Sequence, residues 1–417
     1  MTSRRTINRT VQLMLIMFGY WPGISCVVLY RVFWMIMVGI TEFCHCHYLV
    51  VHFRFHNLFD LMDCLTSFLA FIKLFSKLFI FWLKQRKFFE ILTMTAEDWN
   101  DCDNTGVELR ETAKKAKLSS RIGNGIIILQ TMATLAYVIG IFQASIDVDV
   151  TDRTVELPLI FKMEYPFVID TQRKYRLVLA TQFFSVVVCS WSAGLFNALF
   201  LTLTLHVGSQ INILICWLGE VGSKDIEKTH DRHDSFVTVI TKIVRKHQKI
   251  IYLSENIENL YSYIALVQFI SNTVMICSLG FLVVTAIGSP DASEQITRSL
   301  LFYVVTSLEA FVFCFAGEYL SNKYYHHTDQ RPTIIILMVQ QNYFQFCIKS
   351  KAIGNAAYNS AWYDMKAKDR RVLLFIILRS QRQLQFTAGK MAVLSLEYFT
   401  TIMKASGSYL SVLLAMK

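Results

Sequence analysis

Cys44-His45-Cys46-His47 is the densest set of metal-ligating side chains in this 417-residue chain. Four such donors could hold a zinc ion if they converged. Successive residues at a helix end point in different directions, and no second pair lies at ligand spacing, so the run reads as a helix boundary. The other cysteines are scattered singly, mostly in apolar stretches where a thiol is a small filler. His230-Asp231-Arg232-His233-Asp234 reads as a solvated loop face. No serine–histidine–aspartate set and no paired carboxylates lie within the apolar stretches, so neither an enzyme nor a cofactor is expected. The remaining charges are isolated ones at or inside apolar segments. Asp60 and Asp63 could attract cations at the mouth of one segment, with interfacial solvation the simpler expectation. Lys73 and Lys77, four apart on one face, are expected to snorkel or to carry their helix into the cytosol. Arg31 and Glu42 share nearly one stripe but sit too far apart to bond, so each must find another partner.

The elements that position these residues are membrane helices. Of all residues 54% are hydrophobic and 14% aromatic, there are 5 prolines, and mean hydropathy is +0.40. The charged fraction is 17%, against about 25% for an ordinary soluble domain. Seven spans are expected, at 24–48, 58–81, 122–144, 177–203, 263–287, 299–320 and 391–416, in an all-α polytopic membrane protein. A net charge of +10 alone would suit nucleic acid, but no nucleic-acid-binding signature accompanies it.

Topology accounts for the charge better. Arg4, Arg5 and Arg9 precede the first span. The second loop carries Lys84, Arg86, Lys87, Arg110, Lys114, Lys115, Lys117 and Arg121, and the fourth and sixth loops are similarly basic. The opposite loops are sparse, except the third, where Asp and Glu balance Lys and Arg. The positive-inside rule places the N-terminus in the cytoplasm and the C-terminus outside, opposite to a G-protein-coupled receptor. No small-residue cleavage site follows the basic start, so the first segment is expected to be retained.

The last span is interrupted by Ser395, Thr400, Thr401, Lys404, Ser406 and Ser408 at helical spacing. One stripe of it cannot comfortably face lipid and is expected to face the bundle or water. Here the wording is also specific. Thr387-Ala388-Gly389-Lys390, Leu394-Ser395-Leu396-Glu397-x-Phe399 and the run from Lys404-Ala405-Ser406 through Ser408-Tyr409-Leu410-Ser411-Val412-Leu413 resemble the C-terminal signature of insect odorant receptors. Gly19-Tyr20-Trp21-Pro22 resembles that family's turn before the first helix. Leu157-Pro158 and Lys162-Met163-Glu164-Tyr165-Pro166-Phe167 resemble the loop that caps its ligand site.

The resemblance implies a tetrameric cation channel of inverted topology, usually built with the shared odorant receptor co-receptor. Residues 1–23 would be a cytoplasmic N-terminal segment, and 24–203 the first four helices with the ligand-binding outer bundle. Residues 204–262 would form a cytoplasmic anchor, 263–320 helices five and six, 321–390 a second anchor segment, and 391–417 the pore-lining helix. Ser408, Tyr409, Val412 and Ala415 would lie along the pore, with Val412 as a hydrophobic gate that closes by dewetting. Gly407 replaces an aromatic residue usual at its position. Small volatile odorants would bind in a mostly apolar pocket, for which Phe68, Phe71, Tyr137, Phe142, Phe183, Phe184 and Tyr303 are the candidates; ordinary core packing is the competing role of each. Membrane lipid is the other expected partner, and the plasma membrane of olfactory neurons the expected location.

One departure stands out. Gly317-Glu318 should lead within a few residues to Ala357-Tyr358-Asn359-Ser360-Ala361-Trp362-Tyr363, yet about 324–349 intervenes and reads as an insertion atypical of the family. After it, the run from Asp369-Arg370-Arg371 to Gln381 reads as a cytoplasmic amphipathic helix, with a re-entrant segment as the alternative. The runner-up functions are a gustatory receptor, disfavoured by the ending Leu414-Ala415-Met416, and a secondary transporter, which would need internal repeats and broken helices.

Overall fold

The chain is helical because long apolar runs go uninterrupted by proline. Each of the five prolines falls outside the described helices, where its missing N–H and fixed φ do no damage. The computed structural model describes residues 7–23, 25–52, 58–101, 106–146, 157–221, 232–287, 292–321, 350–360, 362–365 and 367–415. In order they form α1 (Arg9–Met17), α2 (Val27–Val51), α3 (Leu58–Leu83), α4 (Gln85–Asp101), α5 (Gly106–Ile146), α6 (Gln172–Glu220), α7 (Arg232–Ala286) and α8 (Ala292–Ser321). Then come α9 (Ser350–Asn359), α10 (Ala367–Gln381), the strands β1 (Thr387–Ala388) and β2 (Ala392–Val393), and α11 (Leu396–Ala415). The expected insertion, about 324–349, lies outside the described residues, as does the charged run from His230 to Asp231.

Six helices, α2, α3, α5, α6, α7 and α8, are long and apolar enough to cross a bilayer. The 20 residues of α11 reach about 30 Å, the thickness of a hydrocarbon core, despite the polar stripe. This is a polytopic helical membrane protein. The lengths of α6 and α7, 49 and 55 residues, exceed expectation. At 1.5 Å per residue each runs beyond about 70 Å, so more than half of each helix projects past the bilayer. The expected fourth and fifth spans are one end of each of these continuous helices.

The projecting parts pack with α4, α9 and α10. Asp98 of α4, 1% exposed, accepts from His206 Nε2 of α6 at 3.0 Å and from Lys246 Nζ of α7 at 3.0 Å, with Lys249 Nζ at 3.2 Å. Burial pushes this carboxyl up, but the hydrogen bond and charge of His206 and the two ammonium groups outweigh it and hold it well below the usual carboxylate range. Nearer the membrane the helices meet in an aromatic cluster, with Phe200 4.7 Å from Phe313 and 4.6 Å from Tyr261 and Phe81 4.7 Å from Phe196. Such pairs add about 0.5–1.5 kcal/mol each beyond area burial.

The turn after α1 is built into the bundle. Gly19 takes φ +74°, and its carbonyl accepts from Arg31 Nε and Nη2 at 2.9 and 2.8 Å. Arg31 also donates to Gln85, and Tyr20 Oη donates to the Leu78 carbonyl at 2.6 Å. Arg31 thus finds the partners it needed, whereas Glu42 keeps a buried oxygen without one among the described residues. In the Cys-His run Cys44 and His45 are buried while Cys46 and His47 are exposed, the divergence expected of a helix. Among the described residues no group of three or more ligating side chains could hold a metal ion.

Candidate functional site

A cavity of ≈ 90 Å³ lies among α3, α5, α6 and α8, under the segment between α5 and α6. Because α5 runs antiparallel to α3, α6 and α8, early residues of α3 and α8 share a level with late residues of α5. Phe71, Tyr137 and Phe302 therefore gather at one end with Phe161 of the covering segment, and Lys73, Lys77, Gln130 and Glu309 form a floor at the other.

The cover is held by polar contacts. Gln182 Oε1 accepts from the Ile160 and Phe161 amides at 2.8 and 3.3 Å, and Gln182 Nε2 donates to the Phe161 carbonyl at 3.1 Å. Tyr175 Oη donates to the Pro158 carbonyl at 2.8 Å, and Tyr137 Oη to that of Ile160 at 3.3 Å. Asp60 pairs with Lys162 of the same segment, and Asp63 with Arg298 at 3.0 Å. The two aspartates are ion-paired rather than merely solvated. The Arg298 guanidinium also sits 5.1 Å from the Tyr137 ring centroid, a cation–π contact that fixes the ring.

At the floor, Lys73 and Lys77 do not snorkel. They are 6% and 2% exposed and turn inward. Lys73 Nζ lies 2.8 Å from Glu309 Oε2 and 2.9 Å from Asn272 Oδ1, and Gln130 Nε2 donates to Glu309 Oε1 at 3.3 Å. For Lys73 the reason is that Glu309, 4% exposed in the middle of α8, offers a nearer partner than the membrane surface does.

Of the sequence candidates, the structure brings Phe71 and Tyr137 into the cavity wall. Phe68 packs on His45, ring centroids 6.5 Å apart. Phe183 meets Phe142 edge-on at 5.6 Å, and Phe184 stacks on Trp34 at 6.1 Å beside a separate, smaller groove. Tyr303 packs against the small cluster of Met275, Leu279 and Leu282. Phe161, Phe302, Gln130 and the three floor charges were not foreseen as lining. The available signal was ionisable residues on different spans at matching depth.

The second region is α11. Its approach is a hairpin, Thr387 opposite Val393 and Ala388 opposite Ala392, turned by Gly389 and Lys390 at φ +60° and +63°. Glu258 of α7 accepts from the Thr387 amide at 2.8 Å and from Lys390 Nζ at 3.0 Å, and the Ser262 carbonyl accepts from the Gly389 amide at 2.8 Å. This hairpin delays the helix, which starts at Leu396 rather than near 391. At Gly317 of α8 an added Cβ would overlap the Cβ and carbonyl of Leu394, so only glycine lets the chain pass there. Within α11, Ile402 and Ser406 are buried, and Ser406 Oγ lies 3.3 Å from the Thr273 carbonyl of α7. Ser408, Tyr409, Val412 and Ala415 lie on the exposed face of the chain, Tyr409 and Val412 at 60% and 59%.

These features agree with known proteins. The family model described as 7tm Odorant receptor matches residues 57–326 and 345–407. Odorant receptor 10 of Aedes albopictus is 28% identical over 218 residues, 52% of this chain and 49% of that protein. Odorant receptor Or2 of Anopheles gambiae is 26% identical over 220 residues, 52% of this chain and 50% of that protein. The chain therefore spans about half the length of these curated relatives. Odorant receptor 13a of Drosophila melanogaster matches at 22% over 375 residues, 87% of this chain and 82% of its own. The structure of the olfactory receptor OR5 from Machilis hrabei in complex with eugenol superposes with a TM-score of 0.76 at 14% identity, covering 98% of this chain and 97% of that one. With the family model matched over most of its length and the fold shared with a solved receptor, this chain belongs to the insect odorant receptor family.

Proposed function

We propose that this chain is the ligand-binding subunit of an odorant-gated cation channel, assembled with the odorant receptor co-receptor in the plasma membrane of sensory neurons. The observation that carries the reading is the last helix. It is long enough to span, is seated on α7 by its inner face, and leaves a stripe of Ser408, Ser411, Val412 and Ala415 without cover from the other described residues. A helix with hydroxyls on an uncovered stripe is suited to line a shared wet axis, with Val412 as the dewetting gate. The N-terminus would then be cytoplasmic and the C-terminus extracellular, with the projecting parts of α6 and α7 in a cytoplasmic anchor.

In this reading the odorant occupies the cavity under the 157–171 segment, with Phe71 and Tyr137 among its walls. It opens the channel only if it binds the open bundle more tightly than the closed one. Residues 324–349 are an insertion, a reading supported by the interruption of the family match over 327–344. Co-expression with the co-receptor, tested with an odorant panel and read as cation current, should give current only when both chains are present. An epitope after Lys417 that is reachable only from the cytosol would remove the proposed pore.

A further inference from the structure

The cavity floor carries an unbalanced charge. Among the described residues, the charged groups of the floor are Lys73, Lys77 and Glu309. Both Glu309 oxygens are engaged, Oε2 by Lys73 and Oε1 by Gln130, and Lys73 gives a further hydrogen to Asn272. Lys77 remains. It is 2% exposed and lines the cavity, and among the described residues it makes no hydrogen bond and no ion pair. Two ammonium groups and one carboxylate leave the floor with one net positive charge when both lysines are protonated. A buried cation without a partner is unfavourable, and an anion placed against it relieves that cost.

The rest of the wall restricts what the anion can be. The far end is aromatic, with Phe71, Tyr137, Phe161 and Phe302, and Thr306 Oγ1 along the wall is buried without a partner among the described residues. A doubly charged, fully hydrated oxyanion would waste the aromatic end and exceed the single spare charge. A monoanion with a compact apolar body matches both ends, because its head meets Lys77 in a charge-assisted hydrogen bond and its body meets the rings. Resting on the reading of this cavity as the odorant site, we propose that it takes small organic acids as carboxylates. Lys77 is then the counter-ion, and acids are preferred over the alcohol or aldehyde of the same skeleton.

The test uses the full chain with its co-receptor, and in parallel the purified chain in detergent. The probes are phenylacetate, phenylacetaldehyde and 2-phenylethanol, with hexanoate and 1-hexanol as an alkyl pair. The wild type should respond to phenylacetate at a concentration about tenfold or more below that needed for 2-phenylethanol, the factor expected of one charge-assisted hydrogen bond. Lys77→Met should erase that preference while keeping the alcohol response, and Lys77→Arg should restore it. Lys77 has no partner to orphan, so Lys77→Met should not lower the Tm of the ligand-free chain. Phenylacetate should raise the Tm of the wild type and not that of Lys77→Met.

Equal sensitivity to acid and alcohol in the wild type, or an acid response unaltered in Lys77→Met, overturns the assignment. A Lys77-dependent Tm shift with no current from any probe upholds the acid site and overturns the channel reading. Current from alcohols and aldehydes with no acid effect does the reverse, and silence in both assays overturns both.

Discussion

Two clusters of buried charge sit at different levels of one bundle, each with one buried carboxylate and two lysines beside it. Around Asp98, in the projecting region, the surplus lysine charge is met at the surface by Glu97 and Asp101. Lys249 is partly exposed and reaches Glu97 at 3.2 Å as well as Asp98. Around Glu309, at the cavity floor, the surplus is enclosed, and Lys77 has only the cavity to face. One carboxylate beside two lysines thus makes a joint where solvent can complete it and, under the proposed function, a place for a ligand where the second lysine is enclosed. Between the two levels lies the aromatic cluster, in which Phe81, Phe196, Phe200, Tyr261 and Phe313 are all buried.

The largest effect should come from Glu309→Gln. It leaves Lys73 and Lys77 both enclosed without a carboxylate, so the purified chain should lose about 3–5 kcal/mol of stability, seen as a drop in Tm and in surface expression. Asp98→Asn should cost less, about 1.5–3 kcal/mol, because Lys249 can turn to water when its partner is lost. If the two variants fall equally, solvent access does not distinguish the clusters. Tyr137→Ala should change the rank order of ligands without abolishing assembly, since the ring meets the cavity while its hydroxyl makes one long bond to the Ile160 carbonyl; a concentration–response panel checks this. Val412→Ala should leave Tm almost unchanged, because the side chain is exposed within its own chain, but should raise resting current. A resting current equal to the wild type would take Val412 out of the gate.

Much of the framework was legible in the sequence. Long apolar runs without proline forecast the spans, and Gly19-Tyr20-Trp21-Pro22 forecast a fixed turn, since only glycine takes φ +74° easily. Of the polar interruptions of the last span, Ser406 takes the expected bundle-facing place against the Thr273 carbonyl. The lining of the cavity was harder to see. In α6 and α8 one face meets lipid and another meets the cavity or core, and all of these are apolar, so periodicity has little contrast to report. Aromatic identity alone could not separate Phe71, which lines the cavity, from Phe184, which stacks on Trp34 outside it. Lys73 and Lys77 were misjudged because snorkelling is decided by what the far helix offers, and Glu309 is 236 residues away from Lys73 in the chain. The late start of α11 depends on Glu258 and Ser262 gripping the hairpin, which is likewise a long-range fact.

On α7, Asn272 and Thr273 are neighbours that face two directions. The side chain of Asn272 holds Lys73 of the cavity floor, and the carbonyl of Thr273 lies against Ser406 of the last helix. A single turn of one rigid rod therefore touches both the cavity floor and the last helix. Under the proposed function, whatever an occupant does to Lys73 would have a path one peptide bond long to the contact with Ser406, with no loop rearrangement in between.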